Sequence, residues 1–187
     1  MSRANILIAA AALFAASALL PAQAADRRYP IAYVQKVEVT HPSERTAWED
    51  KDCLDCDDVV LTEEDVRYAL RHMRRVSPKA HDPGNTDTTG CKGGALVTFK
   101  NGRVLAIGIE PTGRISTAEY DAKMKLTASP TGYYECDPCR TRKMALLKDA
   151  LNRADERRMK RFVAEGLVSA AEAERRLKIV RASRENP

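Results

Sequence analysis

Five cysteines hold most of the chemistry that this chain's residue types and spacings could perform. Four of them form two Cys-x-x-Cys pairs, Cys53-Leu54-Asp55-Cys56 and Cys136-Asp137-Pro138-Cys139, and Cys91 stands between the pairs. Three chemistries fit that arrangement. In an oxidising compartment, bridges among Cys53, Cys56, Cys91, Cys136 and Cys139 would staple loop-rich regions together, and the odd count leaves one thiol free or bridged to another chain. Spacing leaves the connectivity open. Two Cys-x-x-Cys knuckles also offer a tetrahedral thiolate set for structural zinc, Cys53, Cys56, Cys136 and Cys139, provided the thiols stay reduced. The third chemistry is thiol–disulfide exchange at Cys136 and Cys139. They lie just ahead of a long helical segment, with Arg140 and Arg142 nearby, and a helix N-terminus acidifies a thiol into a nucleophile. The βαβ pattern that surrounds such a motif in thioredoxin-like chains is missing here.

The remaining reactive residues make no complete catalytic constellation. His81 precedes Cys91 in a polar loop, but no flanking motif supports a Cys/His nucleophile, and His41 and His72 have no partner in the sequence pattern. Gly90-Cys91-Lys92-Gly93-Gly94 lacks phosphate-loop spacing and leads into a strand, not a helix. Residues 49–65 carry nine carboxylates against Lys51 alone, which reads as a solvated acidic face. Asp50, Asp52 and Asp57 do not complete a calcium loop. No cofactor is implied.

The elements that must position these residues begin with an N-terminal address. Arg3, an uncharged apolar run over 6–20 and the small-x-small site Ala22-Gln23-Ala24 read as a secretory signal peptide, residues 1–24, cleaved after Ala24. The run is shorter than the ~20 residues that span a bilayer. An exported chain of this kind belongs in the periplasm or outside the cell, which ranks the disulfide framework first among the cysteine readings.

The mature chain reads as α+β: one helix packed on a three- or four-stranded antiparallel meander, then a C-terminal helical hairpin. The first unit covers 25–139, with its cysteine staples, and the second covers 140–187. Ile31, Tyr33, Val37 and Val39 suggest a short first strand ended by His41-Pro42-Ser43. Thr62 caps a helix in which Val66, Ala69, Leu70 and Met73 form one apolar stripe, stopped near Val76 by Ser77-Pro78. Residues 95–100 and 103–110 flank Asn101-Gly102, the signature of a two-residue type I′ hairpin turn. Pro111-Thr112-Gly113 makes the next turn, residues 114–120 a third strand, and residues 132–136 a fourth. From Arg140 a helix runs to Gly166, and Ser169 with Glu172 forms a capping box for a second one.

Charge is unevenly divided along the chain. The whole carries a formal net charge of +5, yet residues 140–187 hold 14 basic and 7 acidic side chains while residues 25–139 hold 16 and 19. Arg153, Arg157, Arg158, Lys160 and Arg161 are the candidate partner-binding cluster. They suit an acidic protein or an anionic membrane surface, and an exported chain has no call on nucleic acid.

Two resemblances add to this reading. Leu61-Thr-Glu-Glu-Asp-Val-Arg67, Gly90-Cys91, the Gly94 to Gly102 strand and hairpin, and Tyr133-Tyr134-Glu135-Cys136 resemble a group of uncharacterised exported proteobacterial α+β proteins. The chain departs from that group at Ala106 to Ile109, where a tryptophan is common. The resemblance implies a shared small fold and carries no functional residue. Residues 151–177, with Glu165-Gly166-Leu167-Val168-Ser169 and Glu172, are similar to the helical hairpin called SHOCT, which implies oligomerisation through 140–187. The expectation is an exported, non-catalytic protein-binding or assembly module, such as an inhibitor or immunity-type protein. A thiol-exchange protein using Cys136 and Cys139, or a zinc-bound adaptor, are its alternatives.

Overall fold

The computed structural model describes residues 26, 28–45, 56–82, 84, 89–127 and 132–185. Residues 1–24, read above as a signal peptide, Cys53 and residues 49–55 of the acidic run lie outside them. Among the described residues the fold is α+β, an antiparallel sheet with α-helices, two of them C-terminal.

The sheet is wider than the meander expected from sequence. Its six strands are β1 (Val34–Arg45), β2 (Arg74–Arg75), β3 (Cys91–Phe99), β4 (Val104–Ile109), β5 (Arg114–Tyr120) and β6 (Gly132–Glu135), in the order β1-β3-β4-β5-β6-β2. The expected first strand, β1, takes one edge, beginning only after a 3-10 turn at Ile31–Tyr33, and the unexpected β2 takes the other. β1 continues through His41-Pro42-Ser43 instead of ending there. It is an edge strand with register shifts on both sides of His41, so a proline without an N–H costs no ladder bond that a neighbour needs. β2 exists because the helix stops early. Arg74 and Arg75 leave it to pair with Glu135 and Tyr134, and the Arg74 guanidinium lies 2.5 Å from the Glu135 carboxylate.

Both hairpin turns are three-residue loops, not the two-residue turn expected at Asn101-Gly102. The N–H of Gly102 donates to the Phe99 carbonyl at 2.9 Å, and the N–H of Phe99 donates to Arg103 at 2.9 Å. Gly113 repeats the pattern with Glu110 and Arg114. The glycines sit at φ +79° and +86°, as a type I turn followed by a left-handed residue demands, whereas a type I′ turn would also need positive φ at Asn101.

α1 (Glu63–His72) starts as expected. The Thr62 hydroxyl accepts from the N–H of Asp65, and the Asp65 carboxylate accepts from the N–H of Thr62, closing a capping box. Val66, Ala69, Leu70 and Met73 are fully buried against Ala95, Val97, Phe99, Leu105, Ile107 and Ile115. Each large side chain so buried contributes roughly 1.5–3 kcal/mol. Tyr29 closes one end of this core, its ring 5.9 Å from Phe99 and 6.3 Å from Tyr134. The opposite sheet face carries Gly94, Leu96, Ala106, Gly108, Ser116 and Ala118, all partly exposed, as antiparallel sheets allow.

α2 (Asp137–Ala164) and α3 (Ala170–Glu185) form the helical hairpin. α2 starts at Asp137 with Pro138 in its first turn, so the second Cys-x-x-Cys belongs to the helix. Its first half packs on the rest of the fold: Leu147, Ala150 and Leu151 join Cys56, Val59 and Cys91 in a second apolar cluster. α2 ends in a Schellman motif. Gly166, at φ +70°, donates to Val163, and Leu167 donates to Phe162. Ser169 accepts from the N–H of Glu172 at 3.2 Å. The Glu172 carboxylate turns instead to Arg175 at 2.5 Å and Arg176 at 2.7 Å. No helix among the described residues is long and apolar enough to cross a membrane.

Candidate functional site

Four of the cysteines form two bridges, Cys56–Cys91, with an S–S distance of 2.06 Å, and Cys136–Cys139. Cys53 lies outside the described residues. The first bridge spans 35 positions and fastens the segment before α1 to the start of β3. Cys56 and the Cys136–Cys139 pair are therefore bonded sulfurs here, and zinc on the expected four-thiolate set requires both bridges to open. His81 and Cys91 do not form a catalytic pair, since Cys91 is bridged and only 1% exposed.

The Cys136–Cys139 bridge sits where a strand end becomes a helix start. Cys136 is the N-cap of α2; its carbonyl accepts the N–H of Cys139 at 3.0 Å and of Arg140 at 3.3 Å. Its own N–H donates to the Gly113 carbonyl at 2.9 Å. A side chain at Gly113 would collide with the Cys136 carbonyl, so glycine is required twice over, for its positive φ and for this approach. Cys136 is 1% exposed and Cys139 8%. Cys139 lines a recess together with Val59, Leu61, Asp65, Glu110 and Lys143. The recess offers about 20 Å³, room for a single water molecule.

The recess wall is charged. The Lys143 ammonium lies 2.5 Å from Asp65, and the Arg142 Nε lies 3.1 Å from its other oxygen. Burial alone would raise the pKa of Asp65, but the Lys143 ammonium and the Thr62 hydroxyl and N–H outweigh it and hold the carboxyl below its ordinary value. Arg142 also bonds Glu64 at 2.7 Å and stacks 5.0 Å above the Tyr68 ring. Arg153 reaches Asp58 at 3.0 Å. Part of the basic segment's charge is thus met by the acidic region flanking α1.

Asp65 departs from the solvated acidic face expected of residues 49–65: it is 8% exposed and paired with Lys143. The Thr62-x-x-Asp65 spacing signals the cap, but nothing local signals a lysine 78 positions later. Arg114, which no sequence motif singles out, is 7% exposed. That guanidinium donates to Glu110 at 2.9 Å and to the His81 carbonyl at 2.5 Å. The His81 ring packs on Tyr133 at 4.7 Å, and burial, then the Arg114 charge, push its pKa below the ordinary value.

The candidate partner-binding residues divide between two faces of α2. Arg153, Arg157, Lys160 and Arg161 are exposed and follow the i, i+4, i+7, i+8 spacing of one helical face. Arg158 points elsewhere, onto the buried carboxylate of Asp155, which Arg184 of α3 also holds at 2.6 Å. Arg184 therefore fastens α3 to α2 through Asp155, and Arg158 holds the same carboxylate from within α2.

No family model, no curated protein and no solved structure matches this chain.

Proposed function

We propose that this chain is an exported protein-binding module that docks through the outer face of its helical hairpin onto an acidic protein surface. The observation that carries the reading is the exposed basic ridge of Arg157, Lys160 and Arg161 along α2, which continues Arg153, itself paired with Asp58. Its helix is anchored at one end by the Cys136 turn and the apolar cluster of Leu147 and Ala150. A ridge on an anchored helix presents its charges with little ordering cost, which favours electrostatic steering of a partner of opposite charge. The hairpin also exposes Leu167 and Ile179, 66% and 60% accessible. Two bridged cysteine pairs fit an oxidising compartment. Self-association through the hairpin, which the SHOCT resemblance implies, is a competing occupant of the same face.

The test is affinity capture from an exported-protein extract with the wild type and with Arg157→Glu, Lys160→Glu and Arg161→Glu combined. The expected result is an acidic partner retained by the wild type, released by moderate salt and lost by the variant. A partner held equally by the variant removes the ridge from the reading. Vesicles of anionic lipid run in parallel, and wild-type binding to them alone would assign the ridge to a membrane surface. Sedimentation of the two proteins reports self-association.

A further inference from the structure

We propose that the Cys136–Cys139 bridge is a thiol–disulfide exchange site for a dithiol substrate, met at the mouth of the recess that Cys139 shares with Asp65 and Lys143. This site is separate from the basic ridge and does not depend on the docking reading.

Three observations carry it. Cys136 caps α2, so a thiolate formed there stands at the positive end of a 28-residue helix. Cys139 is the most exposed of the four bridged cysteines, at 8% against 5% for Cys56 and 1% each for Cys91 and Cys136, and it lines the recess. The turn is also held without its sulfurs: Cys136 N–H bonds Gly113, and the Cys136 carbonyl accepts from Cys139 and Arg140. Opening this bridge leaves the backbone in place, whereas opening Cys56–Cys91 frees segments 35 positions apart. Lys143 and Arg142 balance the Asp65 and Glu110 carboxylates that line the same recess, so an approaching thiolate does not meet a net negative wall.

The exchange proceeds in two displacements. A substrate thiolate attacks the Cys139 Sγ; the Sγ–Sγ bond breaks and its electron pair leaves on the Cys136 Sγ. The second substrate thiolate then attacks the substrate sulfur of the mixed disulfide, and the Cys139 Sγ leaves with that electron pair. The substrate dithiol loses two electrons and becomes a disulfide, and its two protons end on Cys136 and Cys139. In reverse, the reduced pair reduces a disulfide.

The test treats the full chain with dithiothreitol, quenches by alkylation at timed intervals and maps each cysteine by peptide mass, Cys53 included. Cys136 and Cys139 are expected to open about tenfold faster than Cys56 and Cys91, with the far-ultraviolet circular dichroism retained and one equivalent of oxidised dithiothreitol formed. Both bridges opening together, with loss of the dichroism, overturns the proposal. In Cys136→Ser the free Cys139 is expected to exchange with a small alkyl disulfide reagent at the mouth of the recess. A Cys139 that stays inert in the folded variant also overturns it. Lys143→Met, which leaves the Asp65 carboxylate facing the recess, is expected to slow wild-type bridge opening several-fold at low salt and less at high salt. An unchanged rate would remove the charged wall from the site.

Discussion

The N–H of Cys136 donates to the carbonyl of Gly113 across 2.9 Å, so the tip of the β4–β5 hairpin holds the first residue of α2's cap. One glycine couples the sheet to the Cys-x-x-Cys turn. Its left-handed backbone shapes the hairpin, and its missing side chain admits the Cys136 carbonyl.

Substitution at the two hairpin glycines separates these roles. Gly102, at φ +79°, meets only the Ala122 Cβ at 3.4 Å, so Gly102→Ala carries the backbone cost alone, about 1 kcal/mol. Gly113→Ala adds a collision with backbone and is expected to cost about 3 kcal/mol. Urea unfolding of the two variants checks the difference, and equal losses would show that the approach to Cys136 relaxes freely.

The two bridges differ in the loops they close. Removing Cys56–Cys91 by double alanine substitution should cost about 4 kcal/mol through the unfolded chain's regained freedom, and removing Cys136–Cys139 about 2 kcal/mol. Denaturant midpoints of the two double variants test this ordering. A greater loss at Cys136–Cys139 would assign that bridge a structural role beyond closing a short loop.

Acid should weaken the fold in two steps. His81 has its pKa lowered in the fold, so the unfolded chain binds its proton first; stability falls as pH drops below 6.5 and levels off beneath the folded value. Asp65 and Asp26 also have lowered pKa values, which places their contribution above pH 3.8 and removes it as pH falls through the folded values. Melting temperature against pH should show both windows, with His81→Gln removing the first and Asp65→Asn reducing the second. A flat profile between pH 7 and 5 in the wild type would contradict the burial of His81 beside Arg114.

Packing predicts a sharp contrast between helices. Leu70 of α1 is 0% exposed, and Leu70→Ala should cost about 3 kcal/mol. Ile179 of α3 is 60% exposed, and Ile179→Ala should change stability by less than about 0.5 kcal/mol. Thermal unfolding compares them. A large loss at Ile179 would mean that this side chain is already covered in solution, by a second copy of the chain.

Local signals were legible where one segment suffices to satisfy its own backbone. The Thr62 cap, the stripe of Val66, Ala69, Leu70 and Met73, and the stop at Gly166 each follow from residues within a turn or two of one another. Edge pairing was not legible. β1 runs through Pro42 because its neighbour β3 lies on the other side of the strand, and β2 leaves α1 at Met73 because β6 offers an open edge to Arg74 and Arg75. The same division holds at the cysteines. Their number and spacing determined by themselves that bridges, zinc or exchange were the chemistries open to this chain. Only the tertiary structure decided that Cys56 meets Cys91 and that Cys139 shares a recess with Asp65 and Lys143. A covalent partner or an ion pair depends on which surfaces the core draws together, and that burial is a property of the whole fold.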